Sequence, residues 1–98
     1  MIVVRNLFHL KYGHAREAKA LMQEGRTYFK KSLSKGTRVL FDLDGPAYTM
    51  ALEDTYENLG QFEEDMKLMS NDKDFHAWYG KFIEIVNSGS REIWSVVE

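Results

Sequence analysis

Between Asp72 and Val86 the chain carries large apolar residues at a spacing that places them on one side of a helix. Phe75, Trp78, Tyr79, Phe82 and Val86 fall at i, i+3, i+4, i+7 and i+11. Ile83 and Ile85 flank that stripe, and Asp72 and Asp74 occupy the first turn, where carboxylates oppose the positive end of the helix dipole. So broad an aromatic face needs a wide apolar surface to lie on, and a sheet is the element that offers one. The chain must therefore supply strands, and the rest of the sequence is read for them.

Ile2–Leu10 is rich in β-branched and large apolar residues and reads as a strand. Ile2, Val4, Asn6, Phe8 and Leu10 share one face, and Val3, Arg5, Leu7 and His9 the other. Lys11-Tyr12-Gly13 is the turn out. His14–Leu33 reads as one long amphipathic helix with Ala15, Ala18, Leu21, Met22, Gly25, Phe29 and Leu33 inward. Gly25 costs helix propensity, so close packing is its expected reason. Thr37–Leu43 and Ala47–Glu53 read as a hairpin around Asp44-Gly45-Pro46, with Asp54–Glu57 leading out. Asn58–Met69 reads as a shorter helix, Asn58 its N-cap and Leu59, Phe62, Met66 and Met69 its stripe. The aromatic helix is expected to end near Asn87-Ser88-Gly89, and Arg91–Val97 to form the last strand.

The order is β-α-β-β-α-β, the split pattern of ferredoxin-like α+β folds: a four-stranded antiparallel sheet with helices on one face. The second sheet face keeps apolar side chains and has no element left to cover it. This predicts a homodimer joined through the two sheet faces.

Ninety-eight residues suit a single domain, 1–98. With no Cys there is neither disulfide nor thiolate chemistry. Thirteen basic and fifteen acidic residues are dispersed, so no nucleic-acid partner is expected. No apolar run reaches the length of a membrane span. A soluble protein of the cytoplasm is the expectation.

In element order and length the chain resembles the dimeric α+β barrel superfamily, which includes NIPSNAP-like proteins, antibiotic-biosynthesis-type monooxygenases and haem-degrading monooxygenases. Three stretches carry the resemblance: Tyr12-Gly13-His14, Ala51-Leu52-Glu53-Asp54, and Asp74-Phe75-His76-Ala77-Trp78-Tyr79-Gly80-Lys81-Phe82. The last looks like the segment before the final strand of NIPSNAP-like chains. The haem-degrading branch carries an Asn on strand one, a Trp on the short helix and a ligand His on the last helix. Asn6 matches the first, but Met66 and Tyr79 stand where the other two belong, so weak haem binding or none is expected. The antibiotic type needs no metal or organic cofactor, and the expected cofactor is none.

The candidate site follows from these residues. Asn6 is an amide on an apolar strand face, where it needs a partner whether it packs or binds. His76 carries an imidazole, the side chain most used as a general base, and is a candidate base, or a surface histidine. Phe8, Phe75 and Tyr79 form, with Asn6, the expected wall of a ligand pocket between sheet and helices. They are equally a core stripe, because apolar pockets are cut from cores. His9, His14 and His76 lack the spacing of a metal site. Glu63-Glu64-Asp65 reads as a solvated helix face. Two functions from different classes are consistent with this: a NIPSNAP-like module binding a small hydrophobic or aromatic molecule, and a cofactor-independent monooxygenase acting on a phenol or hydroquinone, with Asn6, His76 and Tyr79 beside the substrate.

Overall fold

The computed structural model of the chain describes residues 1–97. Strand β1 is Ile2–Leu10, as the alternation predicts. The long helix is in fact two, α1 (Ala15–Glu24) and α2 (Arg26–Lys31), joined at Gly25. Strand β2 is Thr37–Phe41 and β3 is Thr49–Tyr56. Helices α3 (Leu59–Ser70) and α4 (Lys73–Ile83) follow, and β4 is Val86–Ser95. The sheet is antiparallel in the order β2-β3-β1-β4, which is the ferredoxin-like arrangement. No helix among the described residues is long and apolar enough to cross a membrane.

Several boundaries differ from the sequence reading, and pairing explains them. β3 runs on through Asp54–Tyr56 because β1 offers Val4, Val3 and Ile2 as partners. β2 stops at Phe41, and the turn region extends to Tyr48, which has a positive φ of 60°. That conformation is costly for a bulky side chain. There the Tyr48 carbonyl accepts from Leu10 N, and its ring packs on Tyr12. α4 ends at Ile83, and β4 begins at Val86 rather than at Arg91, since Ser88, Gly89 and Ser90 pair with His9, Phe8 and Leu7. Gly89 suits that place: a Cβ there would lie 3.1 Å from the Leu7 carbonyl oxygen and 3.3 Å from the Phe8 ring.

The helix starts follow local rules. Asn58 caps α3, its side chain accepting from Gln61 N at 2.9 Å, while Gln61 Oε1 accepts from Glu57 N at 2.8 Å. Asp72 caps α4 by accepting from the backbone of Asp74 and Phe75. His14 precedes α1 without capping it through its side chain.

The main core joins Leu21 and Met22 of α1, Trp78 and Phe82 of α4, and Leu10 and Met50 of the sheet. Phe82 meets Phe8 edge-on, with ring centroids 4.9 Å apart. A smaller cluster joins Val4, Tyr56 and Phe62. Leu59 and Ile83, expected in or beside the stripes, are exposed instead.

The second sheet face departs from the expectation that it is simply apolar. One row across all four strands reads Arg38–Glu53–Arg5–Glu92. Glu53 is buried and accepts from Arg5 at 2.6 Å and Arg38 at 2.7 Å, which holds its carboxyl below the ordinary range. The rows beside it are more apolar: Leu40, Ala51 and Leu7 on one side, Val3 and the half-exposed Trp94 on the other.

Candidate ligand cavity

On the helix-facing side, the register places Val39, Leu52, Asn6 and Arg91 in one row and Phe41, Met50, Phe8 and Gly89 in the next. The α3–α4 pair does not close fully over these rows. A cavity of about 560 Å³ remains between them and α2. Asn6, Phe8, Phe75, His76 and Tyr79, the five candidates drawn from the sequence, all line it. Strand alternation puts Asn6 and Phe8 on the helix-facing side. The α4 spacing turns Phe75 and Tyr79 onto the same wall, stacked at 5.6 Å between centroids. Tyr28 of α2 meets Phe75 edge-on at 5.9 Å and completes an aromatic wall.

The polar groups have definite partners. Asn6 Oδ1 accepts from Arg91 Nε at 2.8 Å, and the Arg91 guanidinium stands 5.2 Å from the Phe62 ring centroid. Arg91 thus presents a cation on the cavity wall with its orientation set. His76 Nε2 lies 2.6 Å from the Ser70 carbonyl oxygen and donates to it. His76 is exposed and marks the open side of the cavity.

The inner side carries chemistry that the sequence reading missed. Asp65 is not on a solvated face: it is 1% exposed. Its carboxylate accepts from Tyr56 Oη at 2.5 Å, Ser32 Oγ at 2.6 Å and Leu33 N at 3.0 Å. Burial, and the need to share its proton with Asp65, push the Tyr56 phenol far above its ordinary range. Asp54 also lines the cavity and accepts from Thr37 Oγ1. Burial raises its pKa, Thr37 and Ser34 oppose the rise, and the charge of Asp65 adds to it. No Lys or Arg pairs with either Asp54 or Asp65 among the described residues. A signal for Asp65 did exist: it sits three residues after Phe62 and four before Met69, on the buried stripe of α3.

The raised pKa of Asp54 makes a prediction. A carboxyl whose folded pKa lies above its unfolded value stabilises the fold fully below the unfolded value, near pH 4, and loses that contribution as pH rises through the folded value. Urea unfolding of wild type and Asp54→Asn from pH 3.5 to 8 should therefore show the wild type losing ground to the variant as pH rises. Glu53, shifted the other way, is common to both proteins and cancels. Parallel stability curves would mean that Asp54 is solvated in the native state.

No protein-family model matches the sequence, and no curated protein matches it. Solved structures do. A NIPSNAP family protein from Agrobacterium tumefaciens superposes with a TM-score of 0.91 at 17% identity, over 99% of this chain and 86% of that one. An uncharacterised NIPSNAP domain protein from Burkholderia xenovorans gives 0.88 at 10% identity, over 99% and 95%. The fold is that of NIPSNAP-family proteins. An antibiotic biosynthesis monooxygenase shares it less closely, with a TM-score of 0.77 at 11% identity over the whole of both chains. At such identities the likeness is one of backbone, and the NIPSNAP fold is what it shows. Among the described residues no group of three or more His, Asp or Glu side chains could hold a metal ion.

Proposed function

We propose that this NIPSNAP-like chain binds a small, flat, hydrophobic molecule in the cavity between sheet and helices. The observation that carries the reading is the cavity itself, walled by the rings of Phe8, Tyr28, Phe75 and Tyr79, with Asn6, Asp54, His76 and Arg91 among the polar groups at its margins. The aromatic faces stack the body of the ligand, and Asn6 and Arg91 orient a polar substituent. Asn6 can use its amide N–H₂ for this, because its Oδ1 is held by Arg91.

The test is calorimetric titration with 2-naphthol as probe against wild type, Asn6→Ala and Asn6→Leu. Both variants should retain the fold and lose roughly tenfold in affinity, the worth of one buried hydrogen bond. If Asn6→Leu is as stable as wild type and binds the probe as well, Asn6 is packing only and this site is wrong.

A second reading is favoured by one residue. Asp54 holds a carboxyl with raised proton affinity on the wall of an aromatic cavity, as a base for a phenolic O–H would be held. That arrangement suits a cofactor-independent monooxygenase acting on a hydroquinone with dioxygen; of this reading, the structural neighbour's name carries the word monooxygenase alone. Oxygen uptake with hydroquinone, abolished in Asp54→Asn, is the result expected. Uptake unchanged in that variant would remove Asp54 from any such role.

The partner we assign to the open sheet face is a second copy of the chain. Its more apolar rows flank an ion-pair row already satisfied within one sheet, so pairing strands no lone charge. Sedimentation should show a dimer at micromolar concentration, lost in Trp94→Glu. A monomeric wild type would overturn this.

A further inference from the structure

A second depression lies on the far side of the 32–36 segment, between α1, α2 and the edge strand β2, and measures about 700 Å³. Its origin is topological. β2 is at the edge of the sheet, so Val39 and Phe41 face the helix side with cover from α1 and α2 on one flank only. Met22, Phe29, Val39 and Phe41 give the depression an apolar floor. Lys19, Arg26, Lys30 and Lys35 stand around it, and no carboxylate lines it.

The charge is not an accident of composition. The chain is net negative, at −2, yet four of its thirteen cations gather at one groove. Lys19, Arg26 and Lys30 recur at i, i+7 and i+11, along one side of the α1–α2 rod. Two of the four have partners: Lys35 pairs with Glu57, and the Lys19 ammonium stands 5.1 Å from the Phe41 ring centroid. The Arg26 and Lys30 side chains have no ion-pair partner among the described residues. The Ser32 and Thr37 hydroxyls are given to Asp65 and Asp54, so the donors left at the groove are the cations together with the Gln23 amide and the Ser34 hydroxyl.

We propose that this groove binds a free amphiphile with an alkyl chain and an anionic head, of the fatty-acid type. The alkyl chain lies along Phe29, Val39 and Phe41, and the carboxylate is held by Arg26 and Lys30. Arg26 supplies a planar fork that matches a carboxylate, and Lys30 a second charge one turn away. The Lys19 and Lys35 stems extend the apolar surface, while the Lys19 head stands beside the Phe41 ring and the Lys35 head pairs with Glu57. A monomeric amphiphile fits better than a bilayer does. The apolar floor is recessed, and none of the exposed large hydrophobic residues of the chain lines the groove, so nothing protrudes to enter a membrane. This groove shares Phe29 and Ser32 with the aromatic cavity as a common wall, but its cations line the groove alone, and the proposal does not depend on what the cavity binds.

The experiment is calorimetric titration with decanoate below its micelle concentration, with decyltrimethylammonium in parallel. Decanoate should bind, at least about tenfold more tightly than the cationic amphiphile, and more weakly as salt is raised. Arg26→Glu/Lys30→Glu, two exposed helix positions, should abolish decanoate binding while affinity for 2-naphthol is unchanged. The milder Arg26→Gln/Lys30→Gln should lower it roughly tenfold and so guards against a charge-reversed protein that folds poorly. Amide chemical shifts of Val39 and Phe41 should move with decanoate. Equal binding of the two head groups, full decanoate affinity in the Gln variant, or binding to phosphatidylglycerol vesicles without binding of monomeric decanoate would each overturn the proposal. Loss of 2-naphthol binding with decanoate binding intact would count against the aromatic cavity alone.

Discussion

Trp78→Ala should lower the unfolding free energy by about 3–5 kcal/mol, a large share of what a chain of this size has in total. Trp78 is 4% exposed and is the hub of the aromatic core. Tyr28, Phe29, Phe75, Tyr79 and Phe82 all have ring centroids within 6.5 Å of it. Its indole Nε1 donates to the Leu21 carbonyl at 2.7 Å, which ties α4 to α1. Truncation removes the ring contacts, leaves a void that the rigid sheet behind it cannot fill, and frees a buried carbonyl lone pair. The melting temperature should fall by roughly 15 °C or more. Trp78→Phe keeps much of the packing but loses the hydrogen bond, so it should cost less, on the order of 1–3 kcal/mol. Both are read from urea unfolding. A Trp78→Ala variant that melts like wild type would mean that the helix lies on the sheet with another face.

Gly25→Ala should also destabilise, against the rule for helices. Replacing a helical Gly by Ala ordinarily gains up to about 1 kcal/mol. Here a Cβ on residue 25 would sit 2.3 Å from Trp78 Cζ2 and 2.7 Å from Cε2. The atoms belong to a rigid ring packed on all sides, so the ring cannot move aside. Overpacking of this kind typically costs 1–3 kcal/mol and occasionally more, enough to reverse the sign. The two predictions are coupled. In a Trp78→Phe background the ring atoms that clash are gone, and Gly25→Ala should then be neutral or stabilising. A double-mutant cycle should show an interaction of at least about 1 kcal/mol. Strict additivity would show that the glycine answers to the junction between α1 and α2 and not to the indole.

That junction shows how far local pattern reaches. The break between α1 and α2 falls at Gly25, where the backbone remains helical in φ and ψ (−75°, −5°). The apolar spacing continues across it from Leu21 and Met22 to Phe29, so periodicity alone describes one rod. Trp78, more than fifty residues later, packs against that junction, and no window of sequence around residue 25 contains its ring.

What the amino-acid sequence by itself determined is what depends on neighbours within a turn or two. The α4 stripe, the strand parity that puts Asn6 and Phe8 on the helix-facing side, the cap at Asn58 and the βαββαβ order are of this kind. Each follows from a period of 3.6 or 2 or from one side chain reaching its own backbone. Because strand parity and helix phase each point a set of residues inward, they also brought Asn6, Phe8, Phe75, His76 and Tyr79 to one cavity. Tertiary structure decided the rest. Residues 87–90 are polar and contain a glycine, and they form a strand only because β1 has an unpaired edge to offer them. Asp65 has the composition of a solvated helix position, and its burial depends on Ser32, Leu33 and Tyr56, which lie 33, 32 and 9 residues away. Along each strand the open sheet face shows single charges among apolar residues, and only the cross-strand register aligns Arg38, Glu53, Arg5 and Glu92 into a row. Pairing partners distant in sequence satisfy a charge or a backbone edge that a local reading can only count as exposed.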